Sequence, residues 1–205
     1  MVRLQATLIA LSICFHLVSG QENGEETPQA IENPSPDGRF AFRNMGDSDS
    51  EKQTYDLIDK GSGKVLKSVA ESDPDLGPSA RFNMSVLWRP DSKAFALTAT
   101  LIKLGSEVSV YSQEGTTFRK IKLQKLSADI PEKIKRGKSF PHVSELESWS
   151  AKQWQKDGSL VVEIENMVDG NDGSITAKRT VVLGFDHSDK AKVLKSTIKF
   201  AVEKS

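Results

Sequence analysis

Apolar residues along this chain come in short runs separated by polar turns, and no sustained helical period joins them. The clearest runs are Phe40-Ala-Phe42, Ala94-Phe-Ala-Leu97 and Leu160-Val-Val-Glu-Ile164. Runs of this length, rich in aromatic and β-branched residues and bounded by turn formers, predict strands. Each follows a turn centred on an aspartate. The three copies read Pro34-Ser-Pro-Asp-Gly-Arg-Phe-Ala-Phe42, Trp88-Arg-Pro-Asp-Ser-Lys-Ala-Phe-Ala-Leu97 and Trp154-Gln-Lys-Asp-Gly-Ser-Leu-Val-Val162. In Ser35-Pro-Asp-Gly38, proline pre-sets φ at the second turn position, while aspartate and glycine suit the third and fourth. Pro90-Asp-Ser92 keeps most of this chemistry and Lys156-Asp-Gly158 part of it.

Hairpins recur as well. Tyr55–Asp59 leads through Lys60-Gly-Ser-Gly63 into Lys64-Val-Leu-Lys-Ser68, and Val181–Asp186 leads into Lys192-Val-Leu-Lys-Ser196. The same pentapeptide closes both. A middle hairpin joins Val108–Ser112 to Phe118–Leu123, with Phe118 and Ile121 on opposite faces, so its packing role stays open. One insertion breaks the pattern. Asp129-Ile-Pro-Glu-Lys-Ile-Lys-Arg136 predicts a short helix capped by Asp129 and ended by Gly137. Phe140–Glu147 is either a further helical turn or a loop. The resulting expectation is an all-β fold: blade-like antiparallel sheets in a repeat, as a partial propeller or a sandwich, with one short helical insertion.

At these turns the chain resembles WD40-like, TolB-type β-propeller repeats, whose blade motif runs Trp-Ser-Pro-Asp-Gly-Lys into an apolar strand. Trp88-Arg-Pro-Asp-Ser-Lys-Ala-Phe-Ala-Leu97 is the best match. The resemblance implies a fold and no activity. Three copies are visible, whereas a closed propeller takes at least about four blades. An open or compact blade-like structure is therefore expected over a regular closed ring.

The ends change the picture. Residues 1–20 read as a secretory signal peptide: Arg3, then the apolar run Ala6–Phe15, then Val18-Ser-Gly20 before a cleavage point at Gln21. Residues 21–33 read as a flexible acidic leader and 34–205 as the β domain. No other stretch is apolar enough to span a membrane. Cys14 is the only cysteine, so a cleaved chain has no disulfide, cysteine nucleophile or thiolate metal site. These features place the protein as secreted or periplasmic, and a cysteine-free exported chain suits a bacterial envelope. Charge is balanced, 28 basic against 28 acidic side chains, which offers no basic excess for nucleic acid. Asn83-Met-Ser85 is a glycosylation sequon only in a eukaryotic host.

Candidate chemistry is sparse. His142 and His187 lack a recognisable nucleophile or metal partner, and His187 lies in the turn Asp186-His-Ser-Asp189. Asp169-Gly-Asn-Asp-Gly173 offers alternate oxygens in a glycine-rich loop, either for calcium or as a plain hairpin turn. The acidic stretches Asp47–Glu51 and Glu71–Asp75 read as solvated loops. Trp88, Trp149 and Trp154 form either a sugar-stacking platform or core packing, and the equivalent places of Trp88 and Trp154 favour packing. Asp37, Asp91 and Asp157 are read as structural. No catalytic, cofactor-binding or metal-binding residue is assigned, and no cofactor. The leading expectation is a non-catalytic β-repeat protein that binds another macromolecule, an unknown protein or glycan, and not nucleic acid. The alternative is an envelope hydrolase acting on glycan or peptide through carboxylates.

Overall fold

The computed structural model of the chain describes residues 31–45, 54–71, 82–101, 105–140, 142–143, 147–171, 173–186 and 190–203. They form an all-β protein built from antiparallel sheets with one short helix. β1 (Ile31–Glu32), β2 (Phe40–Met45), β3 (Thr54–Asp59) and β4 (Val65–Glu71) make a first four-stranded meander. β5 (Phe82–Trp88), β6 (Ala94–Leu101), β7 (Gly105–Glu114) and β8 (Thr117–Ile121) make a second. After β9 (His142–Val143), the third meander runs β10 (Ser148–Trp154), β11 (Leu160–Gly170), β12 (Gly173–Phe185) and β13 (Ala191–Glu203). The second and third belong to one nine-stranded sheet because β10 pairs parallel with β7 at Ser148 and Ser106. β1 and Asn33 belong to this fold, so the sheet takes in the end of the expected leader: Ile31 and Glu32 pair with Arg43 and Phe42.

The same turn joins the first and second strands of every meander. The N–H groups of Gly38, Ser92 and Gly158 donate to the carbonyls of Ser35, Arg89 and Gln155, at 2.8, 2.9 and 3.0 Å. Each donor residue has a left-handed backbone, at φ 73°, 61° and 81°. Glycine adopts this conformation freely, and serine does so at a cost. Ser92 recovers something for it: its Oγ accepts the N–H of Asp37 at 3.0 Å and so docks the first turn on the second.

The second meander is sandwiched. Successive side chains on a strand point to opposite faces, so β6 sends Phe95 and Leu97 one way and Ala94 and Ala96 the other. Phe95 and Leu97, with Tyr111 and Phe118, pack against Phe40, Phe42, Tyr55 and Leu57 of the first meander. Ala94, Ala96, Val108, Val110 and Ile121 pack in a second cluster with residues of the third meander, among them Leu160, Val162 and Leu183. The open question about Phe118 and Ile121 thus resolves: both are buried, on opposite faces of a strand covered from two sides.

The pentapeptide shared by the two outer hairpins has a structural counterpart. In β4, Ser68 lies opposite Asp56, Lys67 opposite Leu57 and Val65 opposite Ile58, which leaves Leu66 as the extra residue of a bulge. In β13, Ser196 lies opposite Val181, Lys195 opposite Val182 and Val193 opposite Leu183, which leaves Leu194 extra in the same place. Leu194 lies over Gly184, where an added Cβ would meet it at 2.9 Å. That close approach explains a glycine inside a strand.

The insertion is shorter than the sequence predicts. The helix α1 covers Glu132–Lys135, with Pro131 at its N-cap position and no side-chain capping bond, so Asp129 does not cap it. Arg136, at φ 54°, ends it one residue before Gly137. The segment is held by other bonds: Arg179 donates to the Ser127 carbonyl at 2.7 Å, and Glu147 accepts the Ala128 N–H at 2.6 Å. Ala128 is fully buried, and Leu126 and Ile130 pack beside it on the core of the third meander.

Candidate functional site

Asp37, Asp91 and Asp157 sit at the same place in their turns. The Oδ1 of each accepts the N–H two residues on, from Arg39, Lys93 and Ser159, at 3.1, 3.0 and 2.9 Å. The Ser35 hydroxyl, donating to Asp37, leads in holding that carboxyl below its ordinary range. Burial pushes the Asp91 carboxyl up, but bonds from Arg89 and Lys93 outweigh it and the net direction is down. The Ser159 hydroxyl and N–H lower Asp157. All three carboxylates are thereby held ionised by their own turns, the direction opposite to that of a general acid.

Trp88 and Trp154 occupy equivalent places and make equivalent bonds. The Trp88 indole N–H donates to the Asn33 carbonyl, and that of Trp154 to the Leu87 carbonyl, both at 2.9 Å. Asn33 stands four residues before Asp37, and Leu87 four before Asp91. Each tryptophan therefore pins its turn to the matching position of the preceding meander. The Trp88 ring contacts Phe40, Phe42, Phe95 and Phe118. Trp154 is 7% exposed and lies beside Phe185. Trp149 is half-buried against the core of the third meander. The three indoles line contacts between meanders and make no common exposed platform.

A cleft of about 180 Å³ opens where the second and third meanders meet. Ala94, Val110, Ile121, Trp154 and Phe185 are among its apolar lining residues, and Arg89, Glu114, Arg119 and Asp186 are charged lining residues. These charges pair with one another or with neighbours: Arg89 with Asp91 at 2.8 Å, Arg119 with Glu114 at 3.0 Å, and Asp186 with Lys192 at 2.5 Å. The Arg89 guanidinium lies 5.8 Å from the Trp154 ring centroid.

The outward face of the third meander is a ladder of ion pairs. Glu163 meets Lys152 at 3.1 Å and Lys178 at 3.5 Å, and Lys178 meets Glu165 at 3.2 Å. Burial pushes Glu163 up, but the two lysines prevail and its pKa falls. The bond to Glu165 leads in raising Lys178.

β13 differs from the rest. It is an edge of the nine-stranded sheet and 13 residues long. From Leu194 to Val202 every residue is exposed except the half-buried Phe200. Leu194, Ile198 and Val202 are 59%, 41% and 58% exposed. Ile198, Phe200 and Val202 lie opposite Arg179, Ala177 and Ile175, on the sheet's inner face. Lys195 and Lys199 alternate with them on the outer face. The alternation over residues 191–203 is present in the sequence. The shared Lys-Val-Leu-Lys-Ser string marks two recurring hairpins, and no sequence signal tells a covered fourth strand from an open one.

The remaining candidates stay apart. His142 is in β9, opposite Asp169 of β11. His187, Asp47–Glu51 and most of Glu71–Asp75 lie outside the described residues. Gly170 and Gly173 pair to close the hairpin β11–β12 over Asn171 and position 172, which is itself outside the described residues. Among the described residues no group of three or more His, Cys, Asp or Glu side chains is placed to hold a metal ion. No described helix is long and apolar enough to cross a membrane. No family model matches the chain, and no curated protein matches it.

Proposed function

We propose that this is an exported, non-catalytic protein built from three WD40-like, TolB-type β-repeats, and that it binds another macromolecule in the periplasm or outside the cell. The observation that carries this reading is β13, a long edge strand with exposed apolar side chains. An edge strand offers a row of unpaired backbone donors and acceptors, and natural proteins ordinarily cover or blunt such a row unless it has a partner. The repeat assignment is supported by the common turn and by the tryptophan bond made twice from one meander to the one before. Export is supported by the three-part leader in residues 1–20.

Two measurements test it. A photo-activatable side chain at position 197, in the native host, is expected to form adducts of discrete mass, while one at Lys64 is not. Adducts from both positions in equal yield would remove β13 as the binding surface. N-terminal sequencing of the native protein is expected to begin at or near Gln21, and an intact Met1 in the cytoplasmic fraction would defeat the export reading. Hydrolysis of envelope glycan or peptide by the purified chain, lost on substituting a single carboxylate, would replace the binding reading with the hydrolase one.

A further inference from the structure

We infer that β13 takes up an extended acidic segment of a partner polypeptide, which adds to the nine-stranded sheet as a further strand beyond β13. The inference rests on the binding reading above and names the chemistry of the partner. The outer edge of β13 is engaged at its start, where the Ala191 N–H donates to the Lys122 carbonyl at 3.1 Å, and beyond that point no strand among the described residues pairs with it, since β12 occupies the other side. An added strand is held by main-chain hydrogen bonds along that edge, and alternate side chains select which strand it is. On the inner face, Ile198 and Val202 flank Phe200, which packs against the core. They offer an apolar row to alternate residues of an incoming strand. On the outer face Lys195 and Lys199 are exposed, and among the described residues neither has an ion-pair partner.

The lysines decide between partners. A second copy of this chain is the simplest alternative, pairing β13 antiparallel with itself. A register centred on Thr197, the middle of β13, keeps nearly all of the strand overlapped. It sets Lys195 opposite Lys199 twice, once on each side of the centre. Like charges directly opposite on neighbouring strands destabilise the pair, and lysine on an edge is a common device against self-association. The same two lysines attract carboxylates placed two or four residues apart on a foreign strand. The nearest outward-facing base, Lys178, lies opposite Lys199 and is already held by Glu163 and Glu165. It therefore adds nothing to what an acidic strand would neutralise.

Two labelled synthetic peptides test the proposal, one alternating Glu with Val and the other alternating Lys with Val, titrated into the full chain by fluorescence anisotropy. The acidic peptide is expected to bind, to weaken as salt rises, and to lose about tenfold or more in affinity on Lys195→Glu/Lys199→Glu. The basic peptide is expected to gain affinity on that variant. Both substituted positions are exposed, and circular dichroism checks that the fold is kept. Amide exchange of the unsubstituted chain gives a readout that needs no variant: the acidic peptide is expected to slow exchange along β13. The proposal is overturned if the acidic peptide does not bind, if it binds the variant equally, or if protection falls elsewhere. Sedimentation showing a dimer that Ile198→Glu dissociates would overturn it in favour of a second copy. If the acidic peptide fails while position 197 still forms discrete adducts in the host, the partner chemistry is wrong and the binding reading stands. If both fail, both fall.

Discussion

The two faces of the second meander are built differently although one set of strands supplies both. Toward the first meander, Trp88, Phe95, Tyr111 and Phe118 meet Phe40, Phe42 and Tyr55, and the ring centroids of this cluster lie 4.8–6.2 Å apart. Stacked and edge-to-face pairs both occur there, as at Phe95–Tyr111 (16°) and Phe40–Phe118 (88°). Toward the third meander, β6 contributes Ala94, Ala96 and Thr98, β7 and β8 add Val108, Val110 and Ile121, and β11 and β12 supply Leu160, Val162, Ile164, Val181 and Leu183. One face interlocks large rings, and the other packs branched aliphatic side chains from both meanders around the small side chains of β6. The polar pin is the same at both: an indole N–H donated to a carbonyl of the preceding meander, at 2.9 Å. The comparison teaches that orientation between meanders is kept by a directional bond, while the apolar filling varies as long as volume is matched.

The largest expected effect comes from removing a ring from the aromatic face. Phe95 is fully buried among four other aromatics. Phe95→Ala is expected to destabilise the protein by about 3–5 kcal/mol in urea unfolding. A loss under about 1 kcal/mol would show that the aromatic face collapses around gaps and is not a fitted interface. The opposite change probes the opposite face. Ala96→Leu adds volume where there is none to spare and is expected to cost about 1–3 kcal/mol, through strain rather than a cavity. Neutral or stabilising behaviour would mean that the second and third meanders are loosely packed.

The shared pin is tested by Trp88→Phe and Trp154→Phe, which keep a ring and remove the N–H. Each is expected to lose about 1 kcal/mol, and by similar amounts at the two interfaces. A loss at one position only would break the equivalence between them.

The smallest effect concerns the turns. Asp37 and Asp157 are held below the ordinary carboxylate range, chiefly by the Ser35 and Ser159 hydroxyls. Their folded values lie below their unfolded ones, so the stability they add is present above about pH 3.9 and is lost as pH falls through the folded values. Asp37→Asn/Asp157→Asn is expected to leave the fold intact near neutrality and to flatten the fall in urea midpoint on going below about pH 4. Identical acid limbs for variant and parent would show that these carboxylates contribute nothing through their charge.

Sequence alone made the local structure legible. Turn chemistry is carried by contiguous residues, so Ser35-Pro-Asp-Gly38 and its counterparts are legible without any contact, and the strands after them follow from short runs of strand-forming residues. What sequence could not decide is which face meets which. Phe95 and Ala96 are neighbours in the chain, but they belong to different interfaces because β6 has a meander packed on each side. Ser92 reads as a weakened glycine position until the Asp37 N–H is seen 3.0 Å from its hydroxyl, across a separation of 55 residues. The tryptophans read as equivalent from their spacing, but only the packed sheets show that each indole bonds the meander before it. The same limit applies at the candidate binding surface. β4 and β13 carry one pentapeptide and one bulge, but β4 lies near β8, and the Tyr111 hydroxyl reaches the carbonyl of its Val69 at 3.3 Å. Beyond Ala191, no strand among the described residues covers the outer edge of β13, because whether an edge is covered depends on the elements around it and not on the residues that form it.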